Sequence, residues 1–147
     1  MLYFELNAKA KWKLNNEDLA HIFKTASRAL NEKEKEDKVI SIVTVSRREM
    51  RLLNKMTRNI DAPTDILTFS LEDKNIFPSP AFVRAFIGEM VICPAAAKEK
   101  SKQAGKDELA YARLLVVHGI LHLFGMDHEQ TSESLKMETM EQKILNT

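Results

Sequence analysis

The stretch Leu114 to Met126 is the most apolar part of the chain, and it leaves few destinations open. It is too short to span a bilayer, so it belongs in the core of a globular domain. Its pattern predicts a helix from about Asp107 to Phe124, closed by Gly125. Two imidazoles, His118 and His122, interrupt this helix. At about 100° per residue they lie about 40° apart on one face, one turn above the other. An imidazole buried there without a partner would cost roughly 1–3 kcal/mol. Two imidazoles at this spacing can instead bind one ion, as in zinc-binding helices. A left-handed residue at Gly125 would reverse the chain and return His128 to the same face as a third ligand. Asp127 would then accept a hydrogen bond from a ligand imidazole.

A lone histidine on a helix is more often a satisfied core or surface group, and His21, alone among polar neighbours, is read that way. Here three of the four histidines fall within eleven residues, on either side of a glycine. Three protein ligands leave a fourth tetrahedral position for water or substrate, the mark of an open zinc site. Zn2+ suits three imidazoles; Ni2+, copper and cobalt are chemically possible. Zinc proteases place a glutamate directly after the first ligand histidine, and that position is Gly119. This speaks against peptide hydrolysis by that route.

The rest of the chain reads as α+β, a single domain over 1–147 with about four strands in a mixed sheet and about five helices, the metal site lying on a central buried helix. Leu2–Leu6 alternates Leu and Phe inward with Tyr and Glu outward, as a strand does. Asn15 or Asn16 caps a helix carrying Leu19, Ile22, Phe23, Ala26 and Leu30. The charged run Glu32–Lys38 is expected to fray, and Val39–Val45 to form a buried strand. Ser46 and Glu49 form a capping-box pair opening a helix to about Thr57. Asp61-Ala-Pro-Thr64 is a turn before a strand at Ile66–Phe69. Residues 72–86 look irregular, Gly88–Cys93 is a strand, and Pro94 opens a helix that Gly105 ends. The last amphipathic helix begins near Thr131 or Ser132 and carries Leu135, Met137, Met140 and Ile144.

With 44% apolar and 29% charged residues the chain has a globular composition. Its net charge of 22 − 21 = +1 gives no global pull toward nucleic acid or membrane. Cys93, the one cysteine, excludes an intrachain disulfide and fits a reducing compartment. It is read as a small buried hydrophobe. The N-terminus lacks the features of a signal peptide, so a cytoplasmic location with no membrane partner is expected. Local charge does cluster. On the helix after Ser46, Arg48, Arg51, Lys55 and Arg58 fall within about an 80° arc, a stripe suited to a phosphate backbone or simply to solvent. One Trp and two Tyr offer little stacking surface for a sequence-reading RNA module. Glu89 stands where a strand edge could bring it to the site, but one carboxylate without a visible partner is weak evidence for a role there.

The run His118-Gly-Ile-Leu-His122-Leu-Phe-Gly125-Met-Asp127-His128 resembles the H-G-x-L-H-L-x-G-x-D-H signature of the YbeY family, bacterial endoribonucleases of ribosomal RNA maturation. Leu53–Arg58 with Ala62–Phe69, and Ile87–Pro94, are similar to two further blocks of that family, so the likeness covers about residues 40–128. Leu71 stands where proline is frequent, and Glu89 where aspartate is usual. The resemblance implies an α+β fold and zinc held by His118, His122 and His128. It matches Arg58 to a functional arginine, here a catalytic residue gripping phosphate. It implies single-strand-directed cleavage tied to small-subunit rRNA ends and ribosome quality control, with ribosomal RNA, ribosomal particles and small-subunit ribosomal proteins as partners. Two other readings stay open: a non-catalytic ribosome-assembly factor with a structural metal, and another metallohydrolase of phosphoesters.

Overall fold

In the computed structural model, which describes residues 1–30, 37–71, 86–126 and 131–147, the β-branched run forms strand β2 (Lys38–Thr44) at the interior of the sheet. β1 (Leu2–Ala8) and β4 (Phe86–Ile92) flank it, both parallel, and β3 (Ile66–Ser70) pairs antiparallel with β4 to give the order β1-β2-β4-β3. Helices α1 (Asn16–Leu30), α2 (Arg47–Arg58), α3 (Pro94–Gln103), α4 (Glu108–Leu123) and α5 (Thr131–Leu145) complete the mixed α+β arrangement. Among the described residues no helix is long and apolar enough to cross a membrane. The expected fraying run falls mostly on residues 31–36, and the expected irregular segment on 72–85; both lie outside the described residues.

The helix boundaries follow local chemistry. Asn15 caps α1, its Oδ1 accepting from the Asp18 amide at 2.8 Å. Ser46 caps α2 by accepting from the Glu49 amide at 3.2 Å, while the Glu49 carboxylate turns to Lys9 at 3.7 Å. Asp107 caps α4 through the Ala110 amide at 3.1 Å. Each cap satisfies an N–H that the helix itself leaves unpaired.

Period-two alternation sorts the side chains onto two faces. Leu2, Ile40, Ile42, Met90 and Ile92 join α1, α4 and α5 in the larger core. Val45, Leu67, Val91 and Cys93 face the other way and join α2's Met50 in a smaller one. Two glycines let α4 lie close on the sheet. A Cβ at Gly119 would stand 2.3 Å from the buried Met90 Sδ, and one at Gly88 would stand 2.6 Å from both Leu123 Cδ2 and the Phe69 carbonyl oxygen. The position where a zinc protease carries its glutamate is therefore packed shut against β4. In α5, Met137 and Ile144 are buried as expected, but Leu135 is 60% exposed because it falls on the opposite side of the helix.

Candidate active site

The last turns of α4 carry the two imidazoles at the margin of the core, between the buried residues Val117, Ile120 and Leu121. Their Nε2 atoms approach to 2.9 Å, with ring centroids 4.4 Å apart and planes at 76°. Both rings thus aim the same nitrogen at one point, as helical spacing predicts. Nδ1 of His118 meets Oε1 of Glu141 on α5 at 2.7 Å. A carboxylate accepts and does not donate, so the hydrogen lies on Nδ1 and the His118 Nε2 lone pair faces His122.

Glu141 is the site residue that sequence reasoning missed. A signal existed: Glu141 stands four residues after Met137 and three before Ile144, and therefore on the apolar face of α5. A carboxylate there needs a buried partner, and its side chain is only 13% exposed.

α4 ends as expected at Gly125, whose φ of 84° is in the left-handed region. Gly125 N–H donates to the His122 carbonyl at 2.9 Å and Met126 N–H to that of Leu121 at 3.0 Å. This pair of bonds is a Schellman motif, and it turns the chain sharply beside His122. His128 and Asp127, the expected third ligand and imidazole acceptor, follow at once but lie outside the described residues.

Arg58 is exposed in the last turn of α2. α2 and α4 lie against opposite faces of the sheet, so Arg58 and the imidazoles share no element. The chain after Arg58 is fixed all the same. Asn59 adopts φ 58°, and the buried Asn54 amide donates to the Ala62 carbonyl at 2.8 Å. Asp65 then ties the turn to the histidine helix. It accepts from Tyr111 Oη at 2.8 Å, from Lys100 Nζ at 3.2 Å and from the Ile66 amide at 2.9 Å. Burial pushes its carboxyl up, but these hydrogen bonds and the Lys100 charge together outweigh burial and hold it below the usual carboxylate range. The same burial and the bond to Asp65 raise the Tyr111 hydroxyl.

The basic stripe is only partly available. Arg51 forms a two-pronged ion pair with Asp61, at 2.8 and 3.2 Å, whereas Arg48 and Lys55 are exposed on the same helix. Glu89 does not approach the imidazoles, a correction to its expected place. It faces α2's side of the sheet, lining an open groove of about 480 Å³ with Lys9, Glu49, Leu52 and Phe69. Strand alternation dictates this, since its neighbours Gly88 and Met90 are the residues that meet α4.

The chain is similar to known proteins. The endoribonuclease YbeY of Clostridium botulinum (strain Alaska E43 / Type E3) is 32% identical over 160 residues, covering 99% of this chain and 96% of that protein. The endoribonuclease YbeY of Francisella tularensis subsp. novicida is 33% identical over 106 residues, covering 72% and 65%. The solution structure of TM1509 from Thermotoga maritima has the same fold, with a TM-score of 0.63 at 24% identity, covering 99% of this chain and 90% of that one. The family profile described as Endoribonuclease YbeY matches residues 5–147. With a full-length relative above 30% identity and a family match reaching from β1 through α5, the chain belongs to the YbeY endoribonuclease family.

Proposed function

We propose that this protein is a metal-dependent endoribonuclease that cleaves single-stranded ribosomal RNA during maturation of small-subunit rRNA ends and in ribosome quality control. One observation carries the metal half of the reading: the Nε2 atoms of His118 and His122 converge at 2.9 Å on one side of a chain reversal. Two nitrogens about 2.0–2.1 Å from a tetrahedral zinc would stand about 3.3 Å apart, close to the separation seen. The donor set is also chemically apt, because neutral imidazole is the commonest metal ligand and suits zinc. His118 and His122 would hold the ion with His128, three residues beyond Gly125. Zinc is the first choice, with nickel the main competitor.

A divalent cation bound there supplies charge that polarises a phosphoryl oxygen. The chain's own residues supply position. The α4 imidazoles stand on a helix locked to the sheet at Gly119 and Gly88, so their geometry is set by packing. Arg58 binds a phosphate of the RNA through its planar fork, and Arg48 and Lys55 extend the contact along the backbone. Arg51 joins them to the extent that phosphate displaces Asp61. RNA chemistry comes from the relatives' names, which describe endoribonucleases; ribosomal particles and small-subunit ribosomal proteins are the partners this implies.

The test is metal analysis of the wild type and His122→Ala, paired with cleavage of structured ribosomal RNA. The wild type should carry about one metal ion, and the variant should lose it together with cleavage. Arg58→Ala should keep its metal and lose most cleavage. Metal content untouched by His122→Ala would sink the metal site, and full cleavage by Arg58→Ala would remove Arg58 from the mechanism.

A further inference from the structure

We infer that Glu141 is a positioning residue, holding His118 in the one tautomer and orientation in which its Nε2 can serve as a ligand. This deepens the metal reading above and rests on it. An imidazole has two nitrogens, and a neutral ring carries its hydrogen on one of them. Left to water, the ring interconverts and also turns about its side-chain bonds. At His118 a single carboxylate acts on both freedoms. Glu141 Oε1 lies 2.7 Å from Nδ1, within the range of a strong charge-assisted hydrogen bond. With Nδ1 protonated, the lone pair is on Nε2, and that atom faces the His122 Nε2 at 2.9 Å.

The placement of Glu141 is itself fixed by packing. Met137 and Ile144, each 2% exposed, bracket it on the face of α5 that enters the main core. With its side chain only 13% exposed, the carboxylate is held on the His118 side of α5. Long-range packing of the last helix thus determines which nitrogen of a residue 23 positions earlier is available. A carboxylate behind a ligand imidazole also raises the basicity of the ligating nitrogen, and removing one typically weakens metal binding about 10–100-fold.

The experiment uses the full chain as wild type, Glu141→Gln and Glu141→Leu, with zinc affinity measured by chelator competition. The His118 tautomer is read in metal-free protein by long-range proton–nitrogen NMR correlations. Glu141→Leu should bind zinc roughly 10–100-fold more weakly than wild type. Glu141→Gln keeps an acceptor at the same reach and should recover most of that loss. In the wild type His118 should carry its hydrogen on Nδ1, and in Glu141→Leu it should populate both tautomers. Far-UV circular dichroism and thermal melts would show that the variants fold. Zinc affinity within twofold of wild type in folded Glu141→Leu would overturn the inference, as would a wild-type His118 protonated on Nε2. Equal weakness of the Gln and Leu variants would overturn it too, since the hydrogen-bond acceptor would not then be what matters. Should the wild type bind no zinc, the metal reading fails first and this inference falls with it. That outcome is distinct, because it is read without any Glu141 variant.

Discussion

The two faces of the sheet handle polar groups in opposite ways. The face under α4 is closed: Val116, Val117, Ile120 and Leu121 are all fully buried, and two polar pairs stand near its margin, His118 with Glu141 and Asp65 with Tyr111. The face under α2 is half open. Its helix exposes Leu52 at 55% and Met56 at 81%, and Lys9, Glu49 and Glu89 line a groove beside it. The closed face can hold two ring nitrogens 2.9 Å apart because the helix that carries them is packed tightly on the sheet and Glu141 fixes one ring. The open face offers charges on long side chains, which suits a polyanion of variable shape and would not hold a metal geometry.

The largest expected effect contrasts the two helices directly. Ile120→Ala removes a fully buried side chain of α4 and should cost about 2–5 kcal/mol in urea unfolding. Leu52→Ala on α2 should change stability by less than about 0.5 kcal/mol. Similar losses in the two variants would erase the distinction between the faces. A somewhat smaller effect tests the close approach of α4 to the sheet. Gly88→Ala places a methyl 2.6 Å from the Phe69 carbonyl, a backbone atom of the neighbouring strand. It should cost about 1–3 kcal/mol, and an unchanged melting temperature would mean that both the Leu123 side chain and the β3 backbone give way freely.

The smallest effect is a difference in sign between two carboxylates. Asp65 is held below its usual value, so the stability it contributes is complete above the ordinary carboxylate value of about 3.9 and is lost as pH falls through its lower folded value. Asp65→Asn should flatten the acid side of the stability profile. Glu89 is pushed up by burial, with Lys9 opposing. Its contribution is greatest below the ordinary glutamate value of about 4.3 and declines as pH rises through its raised folded value. Glu89→Gln should therefore gain relative to wild type as pH rises from 4 to 7. Urea midpoints at several pH values would check both, and parallel profiles for the two variants would contradict the assignment.

Much of this was legible in advance because it is local. Caps at Asn15 and Ser46, the turn at Gly125 and the alternation of β1 depend on neighbours a few residues away, and the positions expected for them hold. The pairing of His118 with His122 was legible for the same reason, since helical spacing alone brings them together. Glu89 and Leu135 went astray where one residue of phase decides which side a group faces, and sequence periodicity leaves that phase loosely set.

The sequence by itself determined the elements, their ends and a pair of imidazoles one turn apart, because hydrogen bonding and helix pitch act over a few residues. Only tertiary structure decided that Glu141 stands behind His118, that Gly119 is where α4 meets Met90, and that Glu89 faces the side of the sheet away from the histidines. Those outcomes depend on which apolar faces are buried against one another, and that is a property of the whole core.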